Sequence, residues 1–316
     1  MLPEVFAFDN FSHFHRFSSK NRKRREMDVT RSIAILWVFL GTGIFSGIFA
    51  SGRFADGIAA PAQVVFLRYV GGVVTLALVM SLRRAPLAQY RSRFVPAHLA
   101  RALTGCFGGL AIIYASAHMP LMDATAISLL YVVLIVALGA LVLKERVSPA
   151  HWGAVAVSSA GAAVVLLSRG AFQSLDVAYL MPAAIAFAGA VLLAIEALLI
   201  RTLSLADTAL TVLLHVNVFG LLLMTGPALL VWQPMDLGPA LAICGLGPLA
   251  LSAQYCIIRG YRSAEVSVLG PVDYTWLIFA ALIGFMAFGE VPSAGVLAGS
   301  ALIAVAGIML VRMRAV

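Results

Sequence analysis

Charge is what this sequence has least of. Only 11% of its 316 residues are Asp, Glu, Lys or Arg, while 62% are hydrophobic, against roughly 25% charged and 45–50% apolar in soluble domains. A soluble fold of this length could not hide so much apolar surface. Cysteine is scarce too. Cys106, Cys244 and Cys256 each lie inside an apolar run, and none forms a CxxC pair, which argues against a disulfide framework or a thiol metal site. There is no HExxH, no GxxxxGK[ST] and no acidic cluster suited to Mg²⁺. These absences argue against a membrane-embedded enzyme, against ATP-driven transport within this chain, and against a metal or other cofactor. The net charge of +8 raises nucleic acid as a partner, but in a membrane chain it more often reports basic cytoplasmic loops.

What is present is a series of apolar runs about 18–25 residues long, the length a helix needs to cross a bilayer. Hydrocarbon offers no partner to backbone N–H and C=O groups, so a chain living in it uses helices or a closed barrel. Runs of this length exclude the ten-residue alternating segments of a barrel. The fold class that follows is an all-α polytopic membrane protein. The ten predicted spans cover residues 33–51, 61–82, 99–117, 124–143, 151–168, 177–200, 208–232, 239–258, 266–289 and 294–311.

Alternating the spans from a cytoplasmic N-terminus places nineteen basic residues inside, among them Arg31, Arg84, Arg101, Lys144, Arg201, Arg259 and Arg312. Only Arg53 and Arg169 fall outside, with Arg68 within a span. Cytoplasmic loops carry such an excess, so both termini are expected in the cytoplasm of a multi-pass protein of the bacterial inner membrane. Residues 1–30 read as a basic, disordered cytoplasmic tail leading into an uncleaved first helix. His13 and His15 in that tail are read as tail rather than as a metal site, and either Met1 or Met27 is the start.

Shifting the sequence by 145 positions lays residues 124–148 over residues 269–293, with Gly139 on Gly284, Glu145 on Glu290 and Ser148 on Ser293. Five spans per half is an odd number, so the second half, residues 171–316, is expected upside down relative to the first, residues 31–170. Two inverted five-helix repeats around a midplane site are a device of carriers.

The segments HMPLMDATAIS and VLKERVS of the fourth span, FLRY of the second and GPVDYTWLIFAALIGFMAFGEVP of the ninth resemble the EamA family of the drug/metabolite transporter superfamily. The likeness runs from about Arg31 to Val311. It implies ten helices, a central cavity between the halves and alternating access, and it extends to members that move riboflavin, S-adenosylmethionine or amino acids. The chain departs from the family at Tyr131-Val132-Val133, where many relatives carry a proline, and at Glu196.

Ionisable groups cost about 2.5–3.5 kcal/mol each at the midplane on insertion scales, so those present usually face protein or a water-filled cavity. Arg68 is read as a ligand for an anionic substrate group or, equally, as a snorkelling side chain or a brace between helices. Glu196 is a candidate proton carrier or counter-charge for a cationic substrate, the alternative being a neighbour of Arg201 turned toward the cytoplasmic surface. Asp273 follows Pro271, which removes a backbone donor and frees a carbonyl beside the carboxylate; the alternative is contact with Arg259 or Arg262. His215 completes the proton-coupling candidates with Glu196 and Asp273, although a lone histidine more often bonds a neighbouring helix. Trp37, Tyr114, Tyr131, Gln254, Tyr255, Tyr274 and Trp276 join Arg68, Glu196 and Asp273 as candidate substrate-binding residues, because flat amphipathic groups both stack and hydrogen-bond. Gly43, Gly47, Gly71, Gly72, Gly105, Gly108 and Gly109 are read as sites of close helix approach, and Gly245, Gly247 and Pro248 as a bend. The leading expectation is a secondary transporter of a small organic metabolite, acting as monomer or homodimer among membrane lipids. A channel or non-transporting scaffold is the alternative.

Overall fold

The computed structural model describes residues 29–48, 58–84, 86–119, 121–173, 178, 180–289 and 291–313. The basic tail with His13, His15 and Met27, together with Arg53 and Glu290, lies outside them. Ten helices long and apolar enough to cross a membrane follow one another, and no strand occurs among the described residues. They are α1 (Val29–Ile48), α2 (Pro61–Arg83), α3 (Val95–His118), α4 in two pieces (Leu121–Ser128 and Tyr131–Val142), α5 (Pro149–Ser168), α6 (Leu180–Ala206), α7 (Ala209–Leu230) and α8 (Leu237–Ser263). The ninth, α9, consists of Val266–Leu269, the 3-10 turn Gly270–Tyr274 and Thr275–Phe288, and α10 is Ala294–Arg312.

Local chemistry sets the helix starts. Proline occupies the first turn of α2, α3 and α5, where a missing N–H costs nothing. Ser148, Thr208 and Ser293 cap α5, α7 and α10, each side chain accepting the backbone N–H three residues on. Ser148 and Ser293, aligned by the shift of the sequence on itself, thus do the same work.

Several helices outrun their apolar stretches. α3 begins at Val95, α6 continues to Ala206 and α8 to Ser263. Apolar length measures hydrocarbon thickness, whereas a helix continues until its backbone groups meet a cap. Arg101, counted on the cytoplasmic side near the start of the third span, lies six residues into α3 and is only 2% exposed.

The first five helices interlock with the last five. α3 lies along α6, α5 along α10, α2 against both α7 and α8, and α3 also meets α7. Where these helices cross, small residues let the backbones touch. A Cβ on Gly71 would stand 1.9 Å from the Cys244 carbonyl oxygen, and Gly161 and Gly299 face one another across α5 and α10, each blocked by the other's carbonyl at 2.7 and 2.5 Å. Gly105 and Gly108 likewise touch α6. Gly47 and Gly109 have nothing within 4 Å, so these two do not serve the close approach expected of them. α8 runs through Pro248 as one helix, with Gly247 seated on α2.

The fourth span, expected as one continuous run, is interrupted, and the ninth carries the break expected at Pro271. In α9 the interruption sits at Pro271, where α-helical bonding gives way to a 3-10 turn. In α4 it falls at Leu129–Leu130, after Ser128, whose Oγ bonds back to the Ala124 carbonyl at 2.6 Å. The two breaks face each other: the Tyr274 hydroxyl donates to the Leu129 carbonyl at 3.5 Å, across a sequence separation of 145.

Candidate functional site

The breaks bring polar side chains together where α1, α4 and α9 meet. Asp273 lies in the 3-10 turn, and its Oδ1 accepts the Thr42 hydroxyl at 3.2 Å. The Tyr131 hydroxyl, at the start of the second piece of α4, is also hydrogen-bonded to Asp273. Its bonding partners are thus hydroxyls, neither Arg259 nor Arg262 among those seen. A carboxylate held by hydroxyls keeps an unneutralised charge, which suits it to receive a cation or a proton. Tyr274, the next residue, is buried and turns the other way, with Oη 3.0 Å from Ser159 Oγ. Behind it, α4 and α5 border a half-open pocket of about 350 Å³ lined by apolar side chains such as Ala126, Leu130, Val133 and Phe172, with Ser159 and Tyr274 as its polar members.

A second cluster joins α2, α3 and α6. Glu196 is 21% exposed, and its Oε1 stands 3.8 Å from Arg101 Nε. Arg68 also acts on it electrostatically, while its guanidinium lies 5.1 Å from the Tyr69 ring centroid. The Tyr69 hydroxyl is 3.8 Å from Cys106 Sγ. Gly105 lies under this group, and a Cβ there would stand 2.9 Å from the Glu196 carboxylate, which would have to shift. Two guanidinium groups against one carboxylate leave one positive charge over. Arg101 Nε and Nη1 are buried without a hydrogen-bond partner, so this charge is available to an anion or to water. Tyr261, buried on α8, is the electrostatic neighbour common to Asp273, Glu145 and Glu196.

The sequence candidates are distributed unevenly. Tyr131, Asp273 and Tyr274 gather at the breaks, and Arg68 and Glu196 meet in the second cluster. Trp37 and Tyr255 form a T-shaped pair at 6.2 Å, with the Arg259 guanidinium 5.9 and 6.0 Å from the two rings. Gln254 Oε1 is buried without a hydrogen-bond partner, and Trp276 packs on the apolar cluster around Tyr274 and Ile303. Tyr114 stands apart near the end of α3, exposed and stacked on His118 at 4.1 Å. His215 stands apart as well, its Nδ1 2.8 Å from the Thr211 carbonyl. Thr42, Arg101 and Tyr261 were not among the candidates. An arginine six residues into a helix that starts at a proline was the one available signal among them; Thr42 and Tyr261 are ordinary residues until the helices pack.

No family model matches the chain. It is 27% identical over 290 residues to the pseudopaline exporter CntI of Pseudomonas aeruginosa, covering 90% of this chain and 98% of that one. It is 28% identical over 252 residues to a riboflavin transporter of Rhizobium johnstonii, covering 79% and 81%. Over 166 residues it is 31% identical to a riboflavin transporter of Vibrio cholerae, covering 51% and 52%. These relatives are transporters. With ten apolar helices, the matches support a multi-pass membrane transporter and speak, indirectly, against an enzyme. A solved crystal structure, described only as that of a protein, superposes with a TM-score of 0.76 at 23% identity, covering 88% of this chain and 98% of that one. At that identity it speaks for the fold alone.

Proposed function

We propose that the chain is a secondary transporter of the EamA type, moving a small organic solute across the bacterial inner membrane by alternating access. On this reading residues 31–170 and 171–316 are two inverted five-helix repeats, both termini are cytoplasmic, and the solute binds where the broken helices meet. One observation carries it: two helix interruptions, related by the shift that aligns the halves, touch through Tyr274 and Leu129 with the Asp273 carboxylate beside them. Interrupted helices at the interface of two repeats are where carriers bind solute and ion. The matched caps Ser148 and Ser293 and the reciprocal pairings of α2 with α8 and of α3 with α7 support the repeat.

Asp273, Tyr131 and Tyr274 form the inner part of the proposed site, Arg68 and Glu196 its charged flank, and Trp37, Tyr255, Gln254 and Trp276 the aromatic and amide wall. Tyr114 contributes least, since it lies away from both clusters. Asp273 and Glu196 are the proton-coupling candidates nearest the centre, with His215 more remote. The relatives' names make riboflavin the first solute to test, with S-adenosylmethionine and amino acids next. Counterflow of each labelled solute in liposomes decides the matter. Exchange above empty vesicles that falls in Asp273→Asn supports the carrier and its site. Conductance without counterflow favours a channel, and no exchange under any ion gradient removes the transporter reading.

A further inference from the structure

Titratable side chains also gather at the basic end of α3, away from the helix breaks. His98 is fully buried, at 0% exposure, with Nε2 2.8 Å from Asp207 Oδ2 at the junction of α6 and α7. The same oxygen accepts the Ser92 hydroxyl at 2.5 Å, and Ser92 Oγ in turn accepts the Phe94 backbone N–H at 2.9 Å. Asp207 thus ties the segment before α3 to α3 itself. The His98 ring stacks on His215 of α7 with centroids 4.3 Å apart and planes 19° from parallel.

Bonding assigns the hydrogens on the neutral rings. A carbonyl only accepts, so His215 Nδ1, bonded to the Thr211 carbonyl, carries a hydrogen and leaves Nε2 with the lone pair. His98 Nε2 faces a carboxylate and carries its hydrogen there. Its Nδ1 is then a lone pair, and it is buried without a hydrogen-bond partner. A proton on His98 Nδ1 would find no acceptor, whereas His215 is only half-buried and keeps its Nε2 lone pair free to take one.

We propose that His98, His215 and Asp207 form a proton-binding site that takes up one proton per histidine pair. The proton adds to an imidazole lone pair, the pair gains one positive charge, and the Asp207 carboxylate balances it. A second proton is opposed, because stacked rings at this distance would carry like charges with little water between them. Asp207, His215 and Arg101 are the charged and titratable groups that act on His98. They come from the α6–α7 junction, from α7 and from α3 itself. The helices α2, α4 and α8 that pack on α3 or α7 contribute none to that set, and the 3-10 turn Leu87–Tyr90 adds the buried Tyr90 hydroxyl. The site goes beyond the transporter reading and stands whether or not the chain carries a solute.

Histidine-selective NMR of the full-length protein in detergent, titrated over roughly pH 5 to 9, tests it. Signals are assigned with His98→Gln, His215→Gln and Asp207→Asn, each checked for fold by its size-exclusion profile. Replacing either ring is expected to move the midpoint of the other by about 0.5 pH unit or more, and Asp207→Asn to move that of His98. His118, stacked on Tyr114, should not respond. If a glutamine variant fails to fold, His215→Phe keeps the stack and removes the charge, and the same shift at His98 is expected. Curves that ignore the loss of the partner ring, or rings that take up no proton in this range, overturn the proposal. Absent counterflow in the unsubstituted protein would instead strike the transporter reading and leave this site untouched.

Discussion

The two broken helices interrupt at matched places by different means. In α9 the break is written in the sequence: Pro271 removes a donor, Gly270 adjoins it and Asp273 follows within the 3-10 turn. In α4 the aligned positions are Thr125, Ala126 and Ser128, with no proline, and the break at Leu129–Leu130 comes three residues after the position aligned with Pro271. A tertiary contact meets the chain there. The Leu129 carbonyl accepts the Val132 backbone N–H at 3.2 Å as well as the Tyr274 hydroxyl at 3.5 Å. α9 therefore brings the carboxylate and the hydroxyl that touches α4, which makes it the more polar of the two breaks.

The largest effect should separate the two breaks. Asp273→Asn keeps the shape and removes the charge, and counterflow is expected to fall at least about tenfold, equivalent to ~1.4 kcal/mol. Ser128→Ala, at the aligned position in α4, removes only a bond back to its own helix and should leave the rate unchanged, with stability altered by less than about 0.5 kcal/mol. Equal losses in both variants would end the asymmetry.

Entry to α9 is the next test. The Glu145 carboxylate, from the loop after α4, accepts the backbone N–H groups of Val266 and Ser267 at 2.9 Å each. It joins the end of one broken span to the start of the other. Glu145→Ala strands both donors at the mouth of α9, at a cost of about 2–3 kcal/mol. A lower midpoint in thermal or denaturant unfolding would register it, whereas an unchanged midpoint would mean water replaces the carboxylate. Tyr274→Phe should be milder, about 1 kcal/mol, because Ser159 can turn to another acceptor. A double-mutant cycle with Ser159→Ala isolates that bond, and a coupling near zero would detach Tyr274 from the α5 side of the break.

Apolar length and turn chemistry made the ten spans legible, together with the break at Pro271 and the importance of Asp273. The α4 break was not legible, because Leu129 and Leu130 are good helix formers and no proline or glycine marks the place. The setting of Arg101 was hidden for a related reason. Hydropathy registers the cost of a guanidinium in hydrocarbon but not the carboxylate on another helix that offsets it. Glu196 was legible as an intramembrane charge, while its partner could come only from packing.

The smallest effect concerns Glu265, the N-cap residue of α9, which is exposed and lies outside the spans. Partial burial and then the nearby Glu145 carboxylate push its carboxyl above the ordinary glutamate range, while Arg31 and Arg201 pull it down. For an acid raised on folding, the native state holds the proton more tightly than the unfolded chain. Its contribution is therefore fully present below the unfolded value and lost as pH rises through the folded one. At neutral pH the ionised form opposes folding slightly, so Glu265→Gln should unfold at the same midpoint or marginally later than the unsubstituted protein. Below about pH 4, where both carry an uncharged side chain, the two should coincide. A variant less stable at neutral pH would mean that Glu265 acts chiefly through Arg31 and Arg201, and that the entry to α9 is held by ion pairs as well as by the Glu145 cap.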